Sequence, residues 1–562
     1  MKKQTSRMSG GRIMASLIVL LGSLAYVMVF AVINGTLGFL CSMGVTVFGA
    51  VGIAKALGEQ IALSYGWIIG LTVGLGVMRG ALRFVEQYCN HYIAFRLLAV
   101  LRDKIFTALR RLCPAKLESK QKGSIISMLT SDIETLEVFY AHTVSPICIA
   151  ITVSTAVFLF VGFVSSWYLS LVALAGFIAV GIIAPLVSSA LMRDAGVKYR
   201  ARFSAFNAYF LDSIKGIKDI VLNNAGDIRK KEVDDRSEEL LKHTHELKYK
   251  IANATAFTEF TVSFMTLVAT AVAVALALAG KISVGKAIIG VVAIFGSFGP
   301  VIAISALPGN LTQTFASGDR VLKLLGEKPV VERIENGIKF DFDDLEVKDL
   351  YFGYEKDNAV LEDICMNAKR GEIVGIVGES GCGKSTLLKL LMRFWSKDGG
   401  EILYNGNEIE TINSDNLLDN VTMVSQSTYL FDETIADNLR IAKEDATDEE
   451  LENACRQASI HEFICQMAGG YDTKAGALGD NLSAGEKQRI GLARAFLRGS
   501  GLILLDEPTS NVDSINEGII LRSLAEQKKD KAIILVSHRE STMAIADRVY
   551  RIDKGRISEV AR

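Results

Sequence analysis

Nine consecutive residues carry the plainest chemistry in the chain. Gly378–Thr386 reads Gly-Glu-Ser-Gly-Cys-Gly-Lys-Ser-Thr and fits G-x-x-x-x-G-K-[ST], a loop that cradles phosphates. Gly378, Gly381 and Gly383 reach backbone angles closed to other residues, so successive N–H groups turn inward on an anion. Lys384 is placed to reach the β- and γ-phosphates, and the Ser385 hydroxyl to bind Mg²⁺. Glu379, Ser380, Cys382 and Thr386 complete the loop. Further on, Leu502–Glu507 is an apolar run ending in two carboxylates. Asp506 suits the Mg²⁺ shell, and Glu507 is placed to polarise an attacking water. His538 is a second candidate for the γ-phosphate or the water. Gln426 is a candidate sensor of metal and γ-phosphate, and Tyr354 a ring on which adenine stacks. Leu482, Ser483, Ala484, Gly485 and Glu486 open a helix, and a helix start is an anion site.

These side chains need strands and helices to hold them. Glu372–Val377 is short, apolar and β-branched, a buried strand; Leu387–Leu391 is rich in helix formers. Strand, glycine loop, helix is the context the loop requires. Val421–Ser425 and Leu502–Asp506 read as further strands, with Gln426 and Glu507 just past their ends. Residues 345–562 therefore read as an α/β P-loop NTPase domain, preceded by a polar connector at 326–344.

Residues 1–325 have a different character. Half of the 562 residues are hydrophobic and mean hydropathy is +0.30, with the apolar excess concentrated before about residue 325. Six spans are read at roughly 14–45, 64–90, 138–163, 167–192, 254–279 and 284–307, each long enough to cross a bilayer. Lys2, Lys3, Arg7 and Arg12 precede the first and place the N-terminus in the cytoplasm. Length and the spans that follow argue against a cleaved signal peptide. The long charged segments Arg96–Lys122 and Arg193–Lys250 face the cytoplasm, and Pro300 and Pro308 are expected to bend the last span. A short helix at Lys215–Ile220 is a candidate to dock on a partner domain; a polar turn is the alternative. The fold class is thus an all-α six-helix transmembrane domain followed by an α/β nucleotide-binding domain.

Arg79, Arg83, Glu86 and Asn90 are spaced four, three and four apart, which puts them on one helix face, with His91 beside it. Charges at membrane depth usually face an interior cavity. One reading is a polar lining for an anionic or zwitterionic cargo, or a ligand site at His91. The other is a helix that has already left the bilayer and is merely solvated. Glu259 carries the same ambiguity. A formal charge of −1 gives no global basic field for nucleic acid. The eight cysteines form no C-x-x-C pair, so neither a zinc site nor a thioredoxin-like motif is indicated. Cys382 reads as small-residue filler in the loop.

Tyr354, the loop at 378–386, Gln426, Leu482–Glu486, Leu504-Leu505-Asp506-Glu507-Pro508, Ser510-Asn511-Val512-Asp513 and His538 come in the order of ATP-binding-cassette ATPases. The chain resembles the exporter branch of ABC transporters, in which one chain is a half-transporter. The resemblance implies ATP and Mg²⁺, a second half-transporter chain (identical or related), a lipid bilayer and a small-molecule cargo. It places Ser483 and Gly485 against the γ-phosphate of the partner's ATP. It also implies the cell membrane, with the nucleotide-binding domain cytoplasmic. Ala484 and Glu486 stand where the family commonly has Gly and Gln, and Ala477 where it often has a Glu. The run Arg79–Ala150 further resembles the cysteine/glutathione exporter subunits of cytochrome bd assembly, with Gln87 where an Arg is usual. That resemblance implies a thiol cargo and a haem contact at His91. Peptide, lipid or drug-like cargo is the alternative, and an ATP-gated channel a further one. The six spans argue against a soluble cassette ATPase that remodels protein or nucleic acid.

Overall fold

The computed structural model describes residues 8–118, 122–305, 308–355, 358–510 and 512–560. Lys2, Lys3, Arg7 and Asn511 lie outside them. The chain divides into two compact units, one of Met1–Leu109 and Lys120–Glu327, the other of Arg110–Ser119 and Lys328–Arg562.

Among the described residues of the first unit, six helical stretches are long and apolar enough to cross a membrane. In chain order the helices used below are α1 (Gly10–Leu20), α2 (Ala25–Ala56), α3 (Tyr65–Leu112), α4 (Ser145–Val164), α5 (Trp167–Ile178), α6 (Ala184–Lys215), α7 (Ile217–Leu222), α8 (Gly226–Leu278), α9 (Val284–Phe295), α10 (Gly299–Ser305) and α11 (Pro308–Leu325). The first span is α2, not 14–45. Gly22 adopts φ +46 beside a 3₁₀ turn at Gly22–Leu24, and this splits α1 from α2. Residues 10–20 form a separate helix whose Ile13 and Leu17 are buried. The third span begins at Ser145, later than expected, because π-helical turns at Met128–Asp132 and Tyr140–Val144 interrupt the stretch before it. The last span breaks at Gly296–Phe298, ahead of Pro300, and α11 starts at Pro308.

The 53 residues of α8 make a helix about 80 Å long, far more than the roughly 30 Å of bilayer core. The charged half of α8 therefore extends beyond the bilayer, as does the far end of α6, which it packs against. Glycines set the close approaches. A Cβ on Gly35 of α2 would lie 2.3 Å from Ile149 Cδ1 and 3.0 Å from Glu86 Cδ; one on Gly290 would lie 2.6 Å from Leu169 Cδ2. Asp132 is buried and accepts from Ser317 Oγ at 2.9 Å and from Arg320 Nε at 2.7 Å and Nη2 at 2.5 Å. Tyr140 donates to the Leu17 carbonyl at 2.6 Å. Together these bonds tie α1, α11 and the helix Ile133–Phe139 into one cluster.

The second unit holds two sheets. Strands β1 (Asp344–Phe352), β2 (Leu361–Lys369), β4 (Gly399–Tyr404) and β5 (Asn407–Glu408) form an antiparallel sheet in the order β2-β1-β4-β5. The other is ordered β10-β9-β3-β8-β7-β6, from β3 (Ile373–Gly378), β6 (Val421–Val424), β7 (Leu502–Asp506), β8 (Ala532–Val536), β9 (Arg548–Asp553) and β10 (Arg556–Val560). All five residues of β7 and of β8 are buried, which is why they read as unbroken apolar runs rather than alternating ones. Helices α12 (Lys384–Leu391), α13 (Ser414–Asn420), α14 (Ala484–Arg498) and α15 (Ser514–Gln527) belong to this unit. The connector is not loose. Ile334, Phe340 and Phe342 donate backbone N–H groups to Ser414, Asn416 and Asn420 of α13, at 2.8, 2.8 and 3.0 Å.

Asp132→Ala leaves the Arg320 guanidinium without its carboxylate. Since Arg320 is half exposed, the loss should be about 2 kcal/mol rather than the full cost of a stranded buried charge. Thermal unfolding in detergent should show a lower midpoint, and adding Arg320→Ala should cost less than it does alone. Strict additivity would contradict the pairing.

Candidate nucleotide site

Strands β3, β8, β7 and β6 are parallel neighbours, so their carboxyl ends share one edge, where ligands of open α/β sheets bind. Ile376 pairs with Val536, Val536 with Asp506, and Leu505 with Val424. That register puts the residues just past each strand side by side: the glycine loop, His538, Glu507 and Gln426.

Glu507 is where they meet. Gln426 Nε2 donates to its Oε2 at 3.1 Å, and His538 Nδ1 lies 3.1 Å from Oε1. Glu507 sits at φ +51, a left-handed angle uncommon for a side-chain-bearing residue. Its backbone is pinned there: its N–H donates to Val536 O at 3.0 Å, and its carbonyl accepts from Gln488 Nε2 at 2.6 Å. Asp506 is buried. Burial pushes its carboxyl up; the Ser385 hydroxyl bonded to it pulls down, the Glu507 charge adds to the rise, and Lys389 and Lys384 oppose it.

The loop itself is built for a close approach. Gly381 and Gly383 have φ +84 and +107, and a Cβ at Gly383 would stand 2.7 Å from Leu361 Cδ2. Lys384 folds back over the loop, donating to the carbonyls of Gly378 at 2.8 Å and Glu379 at 2.7 Å. Tyr354 and Thr386 share a hydroxyl contact at 3.1 Å, and the Tyr354 ring meets Phe352 and Trp395 edge-on, each at 5.0 Å. These residues fit a nucleoside triphosphate with Mg²⁺. Positive φ at Gly381 and Gly383 lets successive N–H groups turn inward on an anion, and Ser385 with Asp506 offers the hard oxygen donors that Mg²⁺ takes.

The stretch Leu482–Glu486 differs in one respect from a bare helix start. Ser483 and Glu486 form a reciprocal capping box at the head of α14: the Glu486 N–H donates to Ser483 Oγ at 3.4 Å, and the Ser483 N–H to Glu486 Oε2 at 2.8 Å. Two of the donors expected to face an anion are thus already engaged, and Ala484 and Gly485 carry the other N–H groups of that turn. Leu482 is buried beneath them.

The polar cluster of the second span keeps to one helix face but is divided by burial. Arg79 and Arg83 are exposed, whereas Glu86 and Asn90 are buried. Arg83 Nη1 reaches Glu86 Oε2 at 2.5 Å, and its guanidinium lies 5.6 Å from the Phe39 ring centroid. Among the described residues Asn90 Oδ1 finds no hydrogen-bond donor. His91 is exposed and stacks on Phe95 at 6.2 Å. A porphyrin needs apolar walls on both faces; a ring on the outside of one helix supplies one wall, so these residues do not fit haem. Glu259 is exposed on α8.

Three features carry no sequence signal of their own. Gln488, almost wholly buried, holds the Glu507 backbone. Glu517 gathers Arg539 Nη1 at 3.0 Å, Ser541 Oγ at 3.0 Å and Thr542 Oγ1 at 2.9 Å, while Arg539 Nη2 also bonds Ser510 O at 3.0 Å. This ties the segment after β8 to the segment after β7. Arg110–Ser119, at the end of α3, belongs to the nucleotide-binding unit rather than to the helical one.

Comparison with known proteins agrees with this geometry. Residues 24–301 match the model of the ABC transporter transmembrane region, and residues 361–510 the ABC transporter ATPase model. The chain is 46% identical to a "Probable ABC transporter ATP-binding/permease protein" of Haemophilus influenzae, over 98% of this chain and 100% of that one. It is 29% identical to an ATP-dependent lipid A-core flippase of Photobacterium profundum (87% and 83% covered) and 30% identical to a Bacillus subtilis protein named for multidrug export (86% and 84%). A bacterial Atm1-family ABC exporter solved with ATP bound shares the fold, with TM-score 0.81 at 22% identity over 95% of each chain. The chain belongs to the ABC transporter family. It has the fold of an exporter half-transporter and is a multi-pass membrane protein whose cytoplasmic ATPase domain couples ATP hydrolysis to transport.

Two predictions test the site. Gly383→Ala forces a side chain onto Leu361 at an unfavourable φ, at a cost of about 2 kcal/mol or more, and calorimetry should find ATP binding weakened accordingly. The Glu517 carboxyl is the pH probe. Burial alone would raise it, but Thr542, Ser541 and Arg539 hold it below its ordinary 4.5. A depressed folded value stabilises above pH 4.5 and loses that contribution as pH falls through the folded value. Glu517→Gln should therefore be less stable than wild type at pH 7, with the gap narrowing below pH 4.5. A gap constant with pH would sink the assignment.

Proposed function

We propose that two copies of this chain, or this chain and a related half, form one exporter whose ATP is held between the nucleotide-binding domains. The observation that carries the reading is the Glu507 carboxylate, flanked by Gln426 and His538 and backed by Asp506 and Ser385. Lys384 exchanges its bonds to Gly378 and Glu379 for bonds to the β- and γ-phosphates of ATP. Ser385, Asp506 and Gln426 hold Mg²⁺, which when bound neutralises charge on the phosphates. Glu507 accepts a proton from the attacking water, and His538 orients the γ-phosphate side of the site. Tyr354 carries adenine on its exposed face. Ser483 and Gly485 approach the phosphates bound by the partner, with the Ala484 and Gly485 N–H groups as donors. ATP then favours the closed pair and hydrolysis releases it, which is alternating access driven by differential binding.

The apolar side chains of α7 and its flanks, Ile214, Ile217, Val221 and Leu222, are more than half exposed among the described residues. We assign them to docking on the partner's nucleotide-binding domain. For cargo, Arg79 and Arg83 lie about 21 and 27 Å along α3 from Tyr65, within the roughly 30 Å hydrocarbon thickness. Exposed charge at that depth belongs in a cavity rather than in lipid. The aromatic side chains Phe84, Tyr88, Tyr92 and Phe95 on the same helix are exposed too. Two exposed arginines on one face of α3 suit an anionic cargo; the aromatic row lies on the opposite face by helical spacing. The activities named for the relatives, lipid flipping and multidrug export, point the same way.

Glu507→Gln should bind ATP yet hydrolyse it on the order of 100-fold more slowly, accumulating a closed dimer on a sizing column. Full turnover in that variant would remove Glu507 from the catalytic role. In nanodiscs, ATP hydrolysis should be stimulated more by phosphatidylglycerol than by phosphatidylcholine, and Arg79→Gln with Arg83→Gln should abolish the difference. An unchanged preference would end the case for an anionic cargo.

A further inference from the structure

Helix α7 has an unusual situation. Its six residues are too few for an isolated helix to hold its own shape, and none of them is buried. It is joined to α6 through Gly216 and to α8 through Asn223–Ala225, with Asn224 at φ +48. No core fixes its direction. Whatever orients α7 must act through the ends of α6 and α8.

A cluster of side chains joins those ends. Tyr209 of α6 has two guanidinium groups over its ring: Arg229 at 3.8 Å and Arg236 at 4.1 Å from the centroid, from positions one heptad apart on α8. Glu232, between them on α8, takes the Tyr209 hydroxyl. Arg229 also donates to Ser213 Oγ at 2.8 Å and to Asp212 Oδ2 at 3.2 Å, the last turn of α6. Higher up, Arg202 pairs with Glu239 at 3.1 Å. Ser213 is buried under these contacts. The two arginines would repel each other over a bare helix; the ring face and Glu232 between them make their proximity favourable. Every contact crosses from one rod to the other within about four turns of the helix ends that flank α7, and none uses α7 itself.

We propose that this clasp, centred on Tyr209, is the transmission joint of the half-exporter. It makes α6, α7 and α8 move as one body, so that displacement of α7 is passed along two long helices to the spans. Without it, α7 swivels on Gly216 and Asn224 and the displacement is dissipated locally. Tyr209 touches no reacting atom; it is a positioning residue. The proposal rests on the reading that α7 docks on the partner's nucleotide-binding domain.

The test uses full-length protein in nanodiscs, with two readouts: ATP hydrolysis, and hydrogen–deuterium exchange at the outer ends of the spans (Lys55–Ser64 and Gly280–Ser283) with and without ATP plus vanadate. Tyr209→Leu should keep kcat and KM for ATP within about twofold and lose most of the nucleotide-induced exchange difference at the outer ends. Tyr209→Phe, which keeps the ring face, should retain it. Arg236→Ala removes one exposed guanidinium and should give an intermediate loss, so a Tyr209→Leu protein that fails to fold still leaves a decisive measurement. A full wild-type exchange response in folded Tyr209→Leu, or in Arg236→Ala if the former does not fold, would overturn the proposal. Loss in Tyr209→Phe equal to that in Tyr209→Leu would also overturn it, because the ring face would then not be the joint. Ile217→Asp with Val221→Asp separates the two layers. If this variant responds like wild type, the docking reading fails and the clasp with it. If it loses the response while Tyr209→Leu keeps it, docking stands and only the clasp falls.

Discussion

One carboxylate held between neighbouring strand ends organises the catalytic half of this protein. Glu507 can meet Gln426 and His538 only because β6, β7 and β8 are parallel and in register, so that residues one or two past paired positions become lateral neighbours. A shift of one residue in either pairing would turn those side chains to opposite faces of the sheet. The register is in turn imposed by burial. Every side chain of β7 and β8 is buried, so the strands have helices and loops on both faces and little freedom to slide. The chemistry is thus positioned by apolar packing that contains no chemistry itself.

The same carboxylate shows how strain is maintained at a functional position. A left-handed angle at Glu507 costs free energy that a glycine would avoid, of order 1 kcal/mol or more. A glycine, however, has no carboxylate. The backbone bonds to Val536 O and from Gln488 Nε2 over-determine the angle, so the side chain points where Gln426 and His538 can reach it. Glu517 acts one step further out. By taking Arg539, which also bonds the Ser510 carbonyl, it couples the segment carrying His538 to the segment that follows Glu507. Residues outside the proposed chemistry therefore set the distance between the candidates for it.

How much of this was legible in the sequence depended on range. The glycine loop could be read because its requirements are local: a strand before it, a helix after it, and glycines where φ is positive. Asp506, Glu507, Gln426 and His538 could be read because each directly follows a short apolar run. Gln488 and Glu517 could not, since a buried amide or carboxylate on a helix resembles a solvated one until its distant partners are in place. The division of Arg79, Arg83, Glu86 and Asn90 into exposed and buried pairs was hidden for a related reason. Helical spacing gives an angle around α3, but only the glycine at position 35 of α2 shows which part of that arc has a neighbour close enough to bury it. The separation of α1 from α2 had a local cause, Gly22, but in a continuous apolar stretch one glycine is a weak signal against twenty apolar neighbours.

The two halves of the chain handle charge in opposite ways, and this bears on how they work together. In the nucleotide-binding unit, ionisable groups are drawn toward one strand edge and satisfied by one another, which makes the site sensitive to an added anion. Among the described residues of the helical unit, charge sits at the helix ends and in the cytoplasmic extensions except for Arg79, Arg83, Glu86 and Glu259, and of these only Glu86 is buried, with Arg83 beside it. An apolar bundle transmits displacement through rigid rods rather than through rearranged ion pairs, because close-packed side chains resist compression. Force then has to enter at places where the rods are joined, and a joint on the cytoplasmic side must be made from polar side chains that tolerate water. Stacked guanidinium and phenol groups meet that condition, since a ring face binds a cation without requiring that either be dry.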